Sequence, residues 1–290
     1  MGLALGVDLG GTKTEAVVVR LGGESPDVVA RARIATDREK GYEHIVSATA
    51  ALVREVANRA GETTLPPVGA GMPGSTTRTG LVKNSNTTCL NGKPFREDLA
   101  RAIGASVAFA NDANCFALAE ATWGAARGAR VAFGVILGTG VGGGVVLNGR
   151  AWDGAMGIAG EWGHVVLDPD GGPPCYCGRR GCVETYLSGP AIEAEYARRA
   201  GAKKTLAEIA TAGDAVARAL LAERMDLFGR ALATVIDVLD PDVVVLGGGV
   251  SNLAALYDEG VRAVARWVFS DELATRIVKH ALGDSAGVLG

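Results

Sequence analysis

Residues 3–20 read LALGVDLGGTKTEAVVVR. A short apolar run ends at an acid and two glycines, and a second apolar run begins a few residues later. Two such runs on either side of a glycine turn predict a β-hairpin rather than a strand followed by a helix. The turn, residues 8–14 (DLGGTKT), carries backbone N–H groups that side chains do not crowd, together with a Thr hydroxyl and a Lys. These groups are suited to binding phosphate oxygens.

The same arrangement occurs again in the second half of the chain. Residues 131–147 read VAFGVILGTGVGGGVVL, which is strand, glycine turn and strand once more, and a third turn (LGGG, 246–249) follows another apolar run. This repetition predicts a duplicated α/β core with a cleft between its halves. One glycine turn alone is more often just a hairpin, and neither is a Walker A sequence. Two matched turns favour a polyphosphate ligand.

Composition narrows the class of protein. The chain has 290 residues, 48% of them hydrophobic, which is enough for two lobes with large cores. A net charge of −3 gives no sign of a nucleic-acid partner. No apolar run approaches the roughly 18 residues of a membrane span, and no basic region precedes the first apolar run. We therefore expect a cytoplasmic protein with neither a membrane nor a nucleic-acid partner.

Residues 160–182 (GEWGHVVLDPDGGPPCYCGRRGC) hold three of the five cysteines and one of the three histidines. Together they predict a closed tetrahedral Zn²⁺ site of structural type, with four candidate ligands: His164, Cys175, Cys177 and Cys182. The alternatives are free thiols packed in a loop, or a disulfide, which a reducing compartment disfavours. Cys89 and Cys115 are predicted to be a loop thiol and a core residue.

Taken together, these motifs resemble the superfamily of sugar kinases, actin and heat-shock ATPases, and most closely its ROK branch. The motifs that carry the resemblance run through almost the whole chain: DLGGTKTE (8–15), GMPGS (71–75), NDANCFALAE (111–120), LGTGVGGG (137–144), GEWGH (160–164), CYCGRRGCVE (175–184) and DPDVVVLGGG (240–249). The resemblance implies a two-lobed, duplicated ribonuclease H-like fold of the actin/hexokinase type with an interlobe cleft. Residues 1–112 would form the smaller lobe, and residues 113–290 the larger lobe with the zinc-clamped loop.

The resemblance also implies how MgATP is bound. Asp8 would help to position Mg²⁺. The nucleotide-binding residues would come from all three glycine turns: Asp8, Gly10, Gly11, Thr12 and Lys13 in the first, Gly138, Thr139, Gly140 and Gly142 in the second, and Gly247, Gly248 and Gly249 near the adenosine.

Asp112 is the candidate catalytic base. It follows a predicted strand in the segment NDAN, at the strand end where α/β sheets bind ligands. A lone Asp before a helix is more often an N-cap. The resemblance favours the other interpretation, in which the carboxylate orients a sugar hydroxyl and accepts its proton. Asn111 would then hydrogen-bond to the sugar.

Further sugar contacts are expected around the metal cluster. Glu161 and Glu184 flank it, and the resemblance implies that both bind sugar hydroxyls, with the metal holding them in place. His164 is a candidate for both metal and sugar. From the other lobe we predict contacts from Asn86 and Asn91, although asparagines in loops often serve the backbone.

Residues 82–95 (VKNSNTTCLNGKPF) look most like bacterial fructokinases of the manno/fructokinase type. We therefore predict a phosphotransferase with an alcohol acceptor, converting fructose and ATP to fructose 6-phosphate and ADP. Alternative substrates are N-acetylglucosamine, glucose and mannose. A sugar-responsive regulator and a chaperone-type ATPase are disfavoured, the first for want of a preceding helix-turn-helix and the second by NDAN and the metal cluster. Relatives are usually dimers and carry a C-terminal helix that returns to the first lobe, which this chain is expected to lack.

Overall fold

The structure is a computed structural model that describes residues 2–290. Its first half is built on a five-stranded sheet and a small two-stranded hairpin. The strands of the first half are β1 (Leu3–Leu9), β2 (Lys13–Arg20), β3 (Asp27–Ala35), β4 (Val68–Met72), β5 (Ser75–Thr76), β6 (Val82–Lys83) and β7 (Val107–Asn111). β5 and β6 pair antiparallel to form the small hairpin.

The second half is built on another five-stranded sheet. Its strands are β8 (Val131–Leu137), β9 (Val141–Leu147), β10 (Arg150–Ala151), β11 (Val243–Gly247) and β12 (Arg276–Lys279). The nine α-helices described within residues 2–290 are α1 (Tyr42–Arg59), α2 (Phe95–Ile103), α3 (Asp112–Trp123), α4 (Glu184–Leu187), α5 (Gly189–Ala200), α6 (Leu206–Ala212), α7 (Ala215–Leu239), α8 (Glu259–Trp267) and α9 (Ala286–Leu289).

The two sheets have the same topology. Their strand orders are β3-β2-β1-β4-β7 and β10-β9-β8-β11-β12. In each, the central strand pairs antiparallel with the next strand of the chain and parallel with the strand on its other side. The predicted duplication and the α/β fold of actin/hexokinase type are thereby confirmed, and both glycine turns are hairpins as predicted.

β2 is covered on both faces, which explains its continuous apolar run. Ala16 and Val18 belong to the core that includes α1, whereas Val17 and Val19 contact Val288 of α9. The expectation that a returning helix would be absent is therefore corrected, because the last turn of the chain lies across the first lobe. Gly6 makes this approach possible, since a Cβ there would stand 2.1 Å from the Val288 carbonyl oxygen.

α3 follows the last strand of the first sheet but packs on the second. A Cβ on Gly134 or Gly144, in β8 and β9, would clash with α3, so glycine lets the helix lie directly on these strands. The helix therefore joins the halves, and a division at residue 112 stays a prediction. Within residues 2–290, no helix combines the length and the hydropathy that crossing a bilayer requires.

Candidate functional site

The first glycine turn is closed by hydrogen bonds within the first lobe. Gly10 N donates to the Lys13 carbonyl at 3.0 Å. Thr36, just after β3, donates its hydroxyl to the Gly10 carbonyl at 2.7 Å and its N–H to the Thr12 carbonyl at 3.0 Å. Thr36 thus satisfies two of the turn's carbonyl oxygens, which fixes the turn between β1 and β2.

The second turn is fixed by a residue that the sequence placed elsewhere. Glu184, at the start of α4, accepts a hydrogen bond from Val141 N at 2.8 Å through Oε2. A Cβ on Gly140 would lie 2.7 Å from the same oxygen, so the glycine leaves room for this carboxylate. Gly248, with φ +80°, lies against the carbonyl of Leu137. The second and third turns are therefore neighbours, and Glu184 is attached directly to the second.

Asn111, and not Asp112, is the N-cap of α3. Its Oδ1 accepts from Ala113 N at 2.9 Å and Asn114 N at 3.3 Å, and its Nδ2 donates to the Gly74 carbonyl at 2.9 Å. This amide is therefore occupied by the protein, and a sugar contact from it stays a prediction. The capping alternative considered for Asp112 is wrong, because its neighbour has that role.

Asp112 and Asp8 share one electrostatic environment. Burial raises the pKa of Asp112. Burial also raises the pKa of Asp8 to about 6, with Asp112 and Glu15 adding repulsion and Lys13 and Arg33 opposing it. Carboxylates are the ligands that Mg²⁺ takes together with nucleotide phosphates. Two mutually repelling carboxylates beside a phosphate-type turn therefore fit a Mg²⁺-nucleotide site.

The four predicted metal ligands come together. Their ligand atoms all lie within 4.8 Å of one another. Cys177 Sγ is 3.6 Å from Cys182 Sγ, and Cys175 Sγ is 3.6 Å from His164 Nδ1. Tetrahedral zinc with Zn–S bonds of about 2.3 Å separates its sulfurs by about 3.8 Å. The donor set and its spacing fit Zn²⁺, and Gly178 and Gly181 adopt φ of +87° and +65° in the knuckle.

Tyr176 is a partner of the cluster that the sequence did not reveal. Its hydroxyl lies 3.0 Å from Nε2 of His164, the nitrogen that faces away from the thiols. Second-shell hydrogen bonds of this kind set the orientation of a metal-binding histidine. Both nitrogens of His164 thus have protein partners, so a direct sugar contact from this side chain, as predicted, has to compete with Tyr176. In the sequence, the only sign of this role for Tyr176 is that it lies between the two ligands Cys175 and Cys177.

Glu161 stands one residue before a 3-10 turn, Trp162–His164. Burial raises the pKa of Glu161, His164 opposes the rise, and Asp112 and Glu184 add to it. The buried Trp162 fixes this position, since its Nε1 donates to the Gly142 carbonyl at 2.8 Å. The structure therefore brings Glu161 close enough to Glu184 and Asp112 for their negative charges to interact. The sequence analysis had assigned no role to Trp162, which positions Glu161.

A cavity of about 1420 Å³ opens between the lobes beside Glu161, whereas Asp112 and Glu184 do not line it. Glu161, His164 and Tyr176 line one side, and Lys83 and Asn91 the other. Asn91 is held by its own loop, because Oδ1 accepts from Ser85 N at 2.9 Å and Nδ2 donates to the Ser85 carbonyl at 3.0 Å.

Asn86, in the same loop, does not line this cavity. It lies over the first glycine turn, since a Cβ on Gly11 would be 3.8 Å from its Oδ1. The two asparagines that were predicted to act together are therefore separated. Their contacts with a sugar stay predictions.

Comparison with known proteins gives the family. The ROK family profile matches residues 4–290, so the chain belongs to the ROK family. N-acetyl-D-glucosamine kinase of Photobacterium profundum is 37% identical over 298 residues, covering 98% of this chain and 96% of that protein. The corresponding enzyme of Vibrio cholerae is 38% identical over 299 residues, covering 98% and 97%.

Solved structures of ROK family proteins are also similar to this chain. The ROK hexokinase from Thermus thermophilus superposes with a TM-score of 0.88 at 34% identity, covering 99% of this chain and 95% of that one. A ROK family glucokinase from Streptomyces griseus, in complex with glucose and AMPPNP, gives a TM-score of 0.83 at 30% identity, covering 99% and 97%. The family that the motifs resembled is therefore confirmed, whereas the fructokinase subgroup is not.

Proposed function

We propose that this protein is an ATP-dependent sugar kinase, a phosphotransferase that moves the γ-phosphoryl group of ATP to a hexose hydroxyl. The observation that carries the proposal is the position of the half-buried carboxylate of Asp112. Its charge raises the pKa of Asp8, beside the first glycine turn, and the pKa of Glu161, beside the cavity. The full-length matches to sugar kinases support it.

In this proposal Asp112 accepts the proton of the attacking hydroxyl. Burial raises the pKa of Asp112 above that of an exposed carboxyl, which makes its carboxylate a stronger base. The N–H groups of the first two glycine turns hold the phosphate chain. Asp8 would hold the Mg²⁺ that accompanies ATP, and this ion would neutralise charge on the phosphates.

Zn²⁺ would be held by His164, Cys175, Cys177 and Cys182 in a structural role. The cluster ties the ends of a loop-rich segment together. One end leads into Glu161 and the other into Glu184, so the metal would fix both carboxylates toward the sugar. This ordering removes conformational freedom that would otherwise be lost only when the sugar binds.

N-acetyl-D-glucosamine is the first candidate substrate, because the proteins 35–38% identical to this chain over nearly its whole length are kinases of that sugar. Fructose is the second candidate, favoured by the resemblance of residues 82–95 to fructokinases. Glucose and mannose remain in the panel. A homodimer and a cytoplasmic location are further predictions of the same proposal.

The test is an ADP-release assay with MgATP and N-acetylglucosamine, fructose, glucose, mannose and N-acetylmannosamine. The highest kcat/KM on N-acetylglucosamine supports the first candidate, and the highest on fructose replaces it with the second. Asp112→Asn protein is the matched control for contaminating kinases. The kinase proposal fails if metal-replete protein releases no more ADP with any sugar than without one.

A further inference from the structure

Polar side chains surround Gly11 in the first glycine turn. A Cβ on this glycine would be 3.8 Å from each of three polar atoms on two other segments of the first lobe: Arg38 Nη1, Asn86 Oδ1 and Thr87 Oγ1. The turn therefore has a wall of side-chain groups in addition to its own backbone. Neither Arg38 nor Thr87 was singled out by the sequence motifs.

Arg38 brings a positive charge that the protein does not use. It is exposed, and within residues 2–290 it makes no salt bridge. Lys40, in the same 3-10 turn, does have a partner, since its Nζ lies 2.6 Å from Asp37 Oδ2. A free guanidinium over a phosphate-type turn is well suited to bind an anionic oxygen, because its donors match phosphate geometry.

Thr87 brings a buried hydroxyl that lacks a partner. Its exposed fraction is 0%, and Oγ1 finds no hydrogen-bond partner in the described part of the chain. Buried polar groups are nearly always hydrogen-bonded, so an unpaired one calls for a ligand or another explanation. Its backbone is held in place, because Thr87 N donates to Ser85 Oγ at 3.2 Å.

We infer that Arg38 and the Thr87 hydroxyl bind the γ-phosphoryl group of the nucleotide over Gly11 while it is transferred. This inference rests on the proposed ATP-dependent kinase function and adds two substrate-binding residues to it. The charge of the phosphoryl oxygens is then met by side chains from one direction and by backbone N–H groups from the other.

The test compares nucleotides with and without a γ-phosphate. We expect Arg38→Ala to weaken binding of Mg-AMPPNP roughly tenfold or more and to lower kcat roughly 10²-fold, with Mg-ADP affinity unchanged. Arg38→Lys should recover part of the Mg-AMPPNP affinity and part of kcat, since lysine keeps the positive charge but lacks the paired N–H donors of the guanidinium. Lys40→Ala is the matched control from the same turn and should leave both values at wild type.

A second pair of variants tests the role of the Thr87 hydroxyl. Thr87→Val keeps the shape and should weaken Mg-AMPPNP binding roughly threefold to tenfold, whereas Thr87→Ser keeps the hydroxyl and should bind like wild type. Equal weakening of Mg-ADP and Mg-AMPPNP in Arg38→Ala, or no change in either, would overturn the inference. Because binding is read without a sugar, failure of the kinase proposal shows separately, as wild-type protein that binds Mg-AMPPNP yet transfers nothing.

Discussion

The two lobes share one sheet topology and differ in what is inserted into it. In the first lobe the segment between β3 and β4, residues 36–67, holds α1 and a short 3-10 turn. In the second lobe the matching segment between β10 and β11, residues 152–242, holds Glu161, the metal cluster and α4 to α7. The scaffold is therefore constant, and the second lobe differs by a longer segment that carries Glu161 and the metal cluster.

The two glycine turns differ in charge as well. Asp8 and Lys13 flank the first turn, and Glu15, in the next strand, adds to its field. The second turn (GTG, 138–140) has no charged residue of its own, and the carboxylate that meets it comes from Glu184 in the insertion. In the proposed function, the first lobe would therefore meet the charged phosphates, and the second would hold carboxylates in fixed positions.

Asp112→Asn is the sharpest test of this division, because Asp112 stands where the lobes join. We expect kcat to fall roughly 10³-fold, since the amide cannot accept the hydroxyl proton. Nucleotide and sugar affinities and the melting temperature should stay near wild type. The same change at the exposed Asp27 is the control, and turnover within a few-fold of wild type at Asp112→Asn would remove the base from the proposal.

Cys182→Ser tests the second lobe. Cys182 is fully buried in the cluster, and its loss should release the metal and lower kcat/KM for the sugar roughly 10²-fold by loosening Glu161 and Glu184. Mg-ADP affinity should change much less. Metal content by mass spectrometry and sugar titration give the answer, with Cys89→Ser, a thiol outside the cluster, as control. Full metal content in Cys182→Ser would contradict the ligand set.

Asp8→Asn tests whether the buried, ionised carboxylate beside the first turn destabilises the folded protein. The folded pKa of about 6 exceeds the ordinary 3.8, so this carboxyl favours folding below about pH 4, and that contribution is lost as pH rises through 6. The asparagine should raise the free energy of unfolding of the ligand-free protein at pH 8 by at most about 3 kcal/mol, and by less at pH 5. Denaturant titrations at both pH values measure this, and a gain that does not grow with pH contradicts it.

Glu161→Gln should have the smallest effect of the four. The amide keeps the shape but loses a charged acceptor, so we expect KM for the sugar to rise roughly tenfold with kcat reduced much less. The exposed Glu272→Gln serves as control. An unchanged KM would mean that the insertion positions only Glu184, or neither acid, against the sugar.

The sequence predicted the repeated strand–turn–strand units because two short apolar runs separated by a glycine turn favour a β-hairpin over other local structures. It also predicted the metal ligands, since a C-x-C-x4-C segment with a nearby histidine is specific chemistry within one loop. It did not indicate β3 (DVVARARIA), in which Arg31 and Arg33 interrupt the apolar residues. The segments containing α5, α6 and α8 were likewise left unassigned.

What the sequence by itself determined is therefore local: two hairpins, a third glycine turn after a buried strand, one metal knuckle and the residue types of a candidate phosphate site. The tertiary structure decided which of the neighbours Asn111 and Asp112 caps α3, that Glu184 meets the second turn, and that Arg38 and Thr87 meet over Gly11. These contacts join residues far apart in the chain. Their partners are selected by how sheets and helices pack in three dimensions, and no periodicity or spacing along the sequence records that.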